Sequence, residues 1–242
     1  PRIARNADLG VLGDLYNTDW SIHAGIDRSD PMAQNPQART IVTAVAKGMK
    51  NSRGMTQRMI EDRKVPEYIY LLLHLAWVED ATLEGIKREL SNIFYEFDGV
   101  DTLCSERWGA WDLAPWCEGL NIAFEAIFPS FEIQKKIFSE LYVCISHSRF
   151  KAPWIYVPGT KNPNILEEEL KMFDYDPQTR WYGSPQKNEH GGIQDDSVFS
   201  LGCCIYGGRE YGVDDFRERK TTPYFGTFVA GRKPITERIS SY

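Results

Sequence analysis

Between residues 37 and 147 apolar positions recur at helical spacing, and the pattern predicts five or six helices. The clearest is carried by Leu83, Ile86, Leu90, Ile93, Phe94 and Phe97, which share one face of a 3.6-residue repeat. Asp80 or Thr82 can cap its start, and Gly99 follows its end. Ile41, Val42 and Val45 fit an earlier helix that stops near Gly48, and a short one follows Gly54. The run "YIYLLLHLAWV" at 68–78, opened by Pro66, is apolar nearly all round and reads as the central helix of the core. Residues 100–118 form a bulky connector holding Trp108, Trp111, Pro115 and Trp116. Two further helices are expected at about 119–128 and 131–146, the second capped by Ser130 behind Pro129.

Beyond 150 the pattern shifts. "APWIYVPG" reads as a short strand, "NPNILEEELKMF" as a capped helix, and 174–196 as a long polar loop. Phe199, Leu201, Cys203 and Ile205 then alternate with Ser200, Gly202, Cys204 and Tyr206, the period of a half-buried strand. "TTPYFGTFVAG" is a second strand candidate. The first 36 residues show no sustained period and offer apolar anchors at Leu12, Leu15, Trp20 and Ile22. The expected fold is therefore mainly α with a small β-containing C-terminal portion (α+β). An extended N-terminal arm (1–36) precedes a helical body (37–149), a mixed α/β portion (150–230) packs on that body, and a C-terminal arm (231–242) follows.

Composition refines this little: 242 residues at 42% hydrophobic and 26% charged make an ordinary globular chain. A chain this long buries roughly 70–75% of its unfolded surface and needs no covalent staple. The net charge of −6 does not point to nucleic acid, because the basic groups around Arg58 and Arg217 are interleaved with acids. Five cysteines without a C-x-x-C imply a reducing, intracellular setting or an assembled particle. No apolar run is long enough to span a bilayer, and the first residues lack the apolar core of an intact signal peptide. A first residue of proline implies removal of an initiator methionine or of a longer leader.

The stretch "KNEHGGIQDDSVFSLGCC" at 187–204 is the densest in chemistry. Its bland reading is a glycine turn leading through Asp195, Asp196 and Ser197 into a strand on whose apolar face Cys203 sits. His190, Asp195 and Asp196 could contribute to a metal site, but no histidine or cysteine pair completes a ligand set, so neither a metal nor a cofactor is expected. A sharper alternative pairs Cys104, placed before a possible helix, with His190 at a strand edge and Asp195 or Asp196 in support, as in a cysteine-dependent hydrolase. His74 reads as a core residue, His147 as a helix-end cation and His23 as part of the arm. No phosphate-binding glycine loop and no G-x-S-x-G elbow occurs.

The aromatics Trp20, Tyr211, Phe216, Tyr224, Phe225, Phe228 and Tyr242 lie in segments poor in regular structure and must bury against the body or a partner. The pattern thus leads to a non-enzymatic structural subunit of a viral or phage-like particle, joined to copies of itself or to other structural proteins through its arms. The Cys104–His190 hydrolase and a protein-binding adaptor stand as alternatives.

Overall fold

The computed structural model describes residues 20–29, 38–50, 67–107, 111–152 and 165–209, and in it part of the expected N-terminal arm forms the middle of a sheet. Strand β1 (Ser21–Asp27) pairs antiparallel with β2 (Ile41–Met49), and β2 pairs antiparallel with β3 (Tyr68–Trp77). On the other side of β1, strand β4 (Thr102–Glu106) runs parallel to it, and β5 (Ala123–Ile127) runs parallel to β4. The short β6 (Phe150–Lys151) runs parallel to β3, which completes the order β5-β4-β1-β2-β3-β6.

Helices cover both faces. Ile22, Ala24 and Ile26 of β1 join Val42, Ala44 and Ala46 of β2 against helix α1 (Leu83–Glu96) and helix α2 (Ala114–Gly119). Thr82 caps α1 by accepting a hydrogen bond from the Gly85 amide at 3.1 Å. Ile86, Leu90 and Ile93 are then driven into the core, each burial being worth about 1.5–3 kcal/mol. The opposite face carries Ile41, Val45, Tyr70, Leu72 and Cys104 against helices α3 (Phe131–Ser146), α4 (Ile165–Met172) and α5 (Asp196–Gly207). Ser130 caps α3 as expected, through the Ile133 amide. A hairpin of β7 (Asp174–Asp176) and β8 (Trp181–Gly183) lies within the stretch read as a polar loop.

The mainly helical body is thus corrected to a mixed sheet with helices on both sides. The reason is physical. Strands covered on both faces are apolar at nearly every position and lose the alternation that marks a half-exposed strand. Residues 41–49 and 68–77 are such strands, and their continuous apolar runs mimic buried helices. Helix α5 errs the other way: all of its residues are buried, so it has no polar face, and its chance alternation reads as a strand. The expected helix at 119–128 is also replaced, since α2 ends at Gly119 and β5 takes Ala123–Ile127. The short helix after Gly54, the strands at 152–159 and 221–231 and the C-terminal arm lie outside the described residues, save Ala152. Among the described residues no helix is long and apolar enough to cross a membrane.

Helix α5 runs antiparallel to β1 and lies directly on it. The Ser200 hydroxyl donates to the Gly25 carbonyl at 3.0 Å, and the Cys204 thiol donates to the Thr43 carbonyl at 3.1 Å. A side chain at residue 25 would run into the Ser200 carbonyl and come within 2.6 Å of the Cys204 amide nitrogen, so only glycine lets the helix lie this close. At the far end the buried Lys47 ammonium donates to the Gly208 carbonyl at 2.8 Å, a cation at the negative pole of the helix. The N-terminus of α5 is thereby held above the end of β1.

Candidate active site

The side chains of β1 that face α5 are Ser21, His23, Gly25 and Asp27, the set opposite Ile22, Ala24 and Ile26. On β4 the same face carries Thr102, Cys104 and Glu106. The two strands are parallel, with Gly25 beside Cys104 and Ile26 beside Ser105, so Asp27 and Glu106 close them side by side. At the other end of the pair the buried Asp101 accepts the Ile22 amide at 2.7 Å, which locks the register. Asp195 and Asp196, at the first turn of α5, bring two more carboxylates to this edge.

The electrostatics report the crowding. Burial, then the negative charges of Asp196, Glu106, Asp195 and Glu169, hold the Asp27 carboxyl well above its ordinary range. Burial also raises Glu106, with Asp195 adding to the rise and the Lys187 ammonium opposing it. Asp196 is pushed up to about 7 by burial and by Glu169. Its Oδ2 accepts the Arg39 amide at 3.0 Å. The Asp195 Oδ2 accepts the Ser184 amide at 2.8 Å and meets the Lys187 ammonium at 3.4 Å. Gly183 sits against this carboxylate, for a Cβ there would lie 2.5 Å from the same oxygen.

Glu169 of α4 stands behind the group, only 1% exposed. One of its oxygens accepts both the amide and the hydroxyl of Ser197. The other is buried without a hydrogen bond, 3.8 Å from an Arg39 guanidinium nitrogen. Burial raises the Glu169 carboxyl as well. Four carboxylates are therefore gathered at one sheet edge with Glu169 behind them, Lys187 lying 3.4 Å from Asp195 and Arg39 3.8 Å from Glu169. In water-poor surroundings so many like charges are held together only at a large electrostatic cost.

As the side chains stand, no three His, Cys, Asp or Glu residues among the described ones form a metal cage. The donor set still fits one class of ion. Small hard divalent cations such as magnesium take carboxylate oxygens, keep several waters, and bind through one or two protein carboxylates plus substrate phosphate. The four edge carboxylates, lacking sulfur or imidazole among them, match that preference and not that of zinc.

The sequence-based candidates divide. Asp195 and Asp196 lie in this group, in a helix and not before a strand. Cys104 is wholly buried inside β4, hydrogen-bonded with Cys203, whose thiol that bond and burial hold well above the usual range. His190 lies exposed in the loop before α5. His23, assigned to an arm, is buried, with its ring nitrogens 2.7 Å from the Ser21 hydroxyl and 2.8 Å from the Thr102 hydroxyl. His74 is half-buried on β3, 2.7 Å from Glu89. Trp20 is buried against the sheet, whereas Tyr211, Phe216, Tyr224, Phe225, Phe228 and Tyr242 lie outside the described residues. No motif in the sequence marks Asp27, Glu106, Glu169, Arg39 or Lys187. The available signal was the alternation of Ile22, Ala24 and Ile26 ending on an aspartate, the mark of a strand with a carboxylate at its tip.

No protein-family model matches the chain, and no curated protein matches it. Among solved structures it is similar to the nuclease domain of the large terminase of Thermus phage P74-26, with a TM-score of 0.49 and 15% identity over 79% of this chain and 81% of that one. The fold itself corrects the expectation of a virion structural subunit joined through its arms, with its hydrolase and adaptor alternatives. The segment expected to reach out to neighbours is in part a central strand of the sheet, and Cys104 is wholly buried in β4 while His190 is exposed in a loop.

Proposed function

We propose that the chain is a divalent-cation-dependent phosphodiester hydrolase, a nuclease, with Asp27, Glu106, Asp195 and Asp196 at its centre. The observation that carries this reading is the convergence of those four carboxylates where the parallel pair β1 and β4 ends beneath the first turn of α5. Ligand sites in α/β sheets favour the carboxyl ends of parallel strands. Asp27, Glu106 and Asp196, each raised by burial and by neighbouring carboxylates at this edge, support a site kept for chemistry.

A divalent cation held by these carboxylates would supply Lewis-acid polarisation of a phosphoryl oxygen and would lower the pKa of water at the site. The protein's own part is to place its carboxylates. Asp27 and Glu106 are carried on neighbouring strands, so their spacing is set by sheet hydrogen bonds. The Ser184 amide and Lys187 orient Asp195, and the Arg39 amide orients Asp196. The Lys187 ammonium also offsets the charge of Glu106, which limits repulsion of an approaching phosphate.

The test is cleavage of single- and double-stranded DNA and RNA with magnesium or manganese, with and without chelator. Cation-dependent cleavage that disappears in Asp27→Asn and Glu106→Gln, at unchanged circular dichroism, is the expected result. Cleavage that persists in chelator, or in both variants, overturns the proposal.

A further inference from the structure

Beside the carboxylate edge lies a cleft of about 650 Å³ whose lining includes the rings of Phe128, Phe131 and Trp181, the Arg180 guanidinium and one acid, Glu132. It is joined to the carboxylate edge by two links. Along the sheet, Ile127 pairs with Glu106 and its carbonyl accepts the Arg107 amide at 2.6 Å, so Phe128 comes one residue beyond the pair that carries the carboxylate. Across the hairpin, the Lys187 ammonium stands 3.4 Å from Asp195 and 5.9 Å from the Trp181 ring.

The cleft presents flat rings to solvent. Phe128 is 54% exposed and Trp181 38% exposed, although both are large apolar side chains. Phe131 is steadied from within by Tyr175 and Tyr182, with ring centroids at 6.0 and 6.5 Å. The Arg180 guanidinium lies 4.7 Å over the Phe131 ring, on a residue with φ of 53°, a left-handed backbone that a non-glycine residue seldom adopts. Arg107, exposed at the end of β4, lies over the Trp111 ring, and Trp111 is itself 61% exposed. Rings alternating with Arg107, Arg180 and Lys187, next to a phosphodiester centre, match a strand whose bases stack while its phosphates meet cations.

We infer that this cleft is a stacking platform for the unpaired bases of a single-stranded nucleic acid, which it leads into the carboxylate edge. The inference rests on the phosphodiesterase reading for the identity of that edge. A duplex fits it poorly, because bases already stacked on one another have no free face to offer Phe128 and Trp181. The acidic net charge is no obstacle, since the relevant charge is local and several of the acids belong to the edge itself.

Binding is measured by fluorescence anisotropy with the Asp27→Asn variant, so that cleavage does not intervene. The probes are a labelled oligodeoxythymidylate, an abasic strand of equal length, and a duplex. Oligodeoxythymidylate should bind roughly 5- to 150-fold more tightly than the abasic strand, the range for one stacked base. Phe128→Ala and Trp181→Ala, both on exposed side chains, should shrink that ratio while the abasic affinity stays constant. Equal binding of the two strands, an unchanged ratio in both variants, or a preference for the duplex overturns the platform. Cleavage assays separate the two readings. Cation-dependent cleavage without a base-dependent affinity leaves the carboxylate centre and removes the platform. Base-dependent affinity without cleavage does the reverse.

Discussion

Asp27 and Glu106 end two neighbouring parallel strands one position beyond the Ile26–Ser105 pair, and both face helix α5. Sheet register fixes their spacing, so the two acids cannot separate without breaking strand pairing. Repulsion between them is built into the fold and is relieved by a proton, by a cation or by loss of one charge.

Asp27→Asn should therefore stabilise the cation-free protein while abolishing cation binding and cleavage. Burial and four neighbouring carboxylates all act on this side chain. Each kcal/mol regained raises Tm by about 2–4 °C for a domain of this size. Thermal unfolding in chelator decides the matter: a lower Tm for Asp27→Asn would show that the carboxylate supports the fold.

The pH dependence of stability should run opposite to that of a salt-bridged carboxylate. Asp196 holds its proton to about 7 when folded, against about 4 when unfolded. The folded chain thus binds the extra proton between these values, and stability falls as pH rises through that window, then levels off. Asp27, Glu106 and Glu169 are shifted in the same direction. Magnesium or manganese should restore the loss above pH 7 and have little effect near pH 4, since it competes with protons for the same oxygens. A Tm in chelator that climbs from pH 4 to 7 would contradict this account.

Gly183→Ala places a methyl group 2.5 Å from the Asp195 oxygen that meets Lys187. The carboxylate must move, and a displacement near 1 Å in a reacting assembly can lower the rate about 10²-fold. The effect should appear in kcat while circular dichroism stays unchanged. Full activity in Gly183→Ala would remove Asp195 from the site.

Gly25→Ala tests the seat of α5. Its methyl meets the Ser200 carbonyl and the Cys204 amide of the helix backbone first, with the Cys204 thiol behind them, so the helix has to lift. Overpacking of this kind costs about 1–3 kcal/mol, occasionally more. A urea titration should show a lower midpoint, together with weaker cation binding, because the lifted helix carries Asp195 and Asp196 with it. Unchanged cation affinity at reduced stability would uncouple the helix from the centre.

The sequence was legible where elements have one wet face. Helix α1 and its Thr82 cap, and helix α3 with its Ser130 cap, follow from amphipathic spacing and local capping chemistry. It misled where elements have none, as in β2, β3 and α5, because continuous burial erases the period that separates helix from strand. The site followed the same division. Asp195 and Asp196 drew attention as adjacent acids in a polar stretch. Asp27 and Glu106 sit singly at strand ends, and their pairing depends on a register between segments 79 positions apart, as the hydrogen bond from the Ile22 amide to Asp101 shows. Linear spacing carries no trace of such a contact.

The acids of the edge arrive at very different moments in synthesis. Asp27 and Glu106 emerge early, but Asp195 and Asp196 come with the helix that also covers Gly25, Thr43 and Cys104. A chain stopped before residue 195 holds two of the four edge carboxylates, Asp27 and Glu106, and an uncovered sheet face. The last described helix is thus both lid of the core and final component of the centre. If the proposed phosphodiesterase reading holds, a half-made copy is inert toward the nucleic acids around it, and cleavage begins only when the fold is finished.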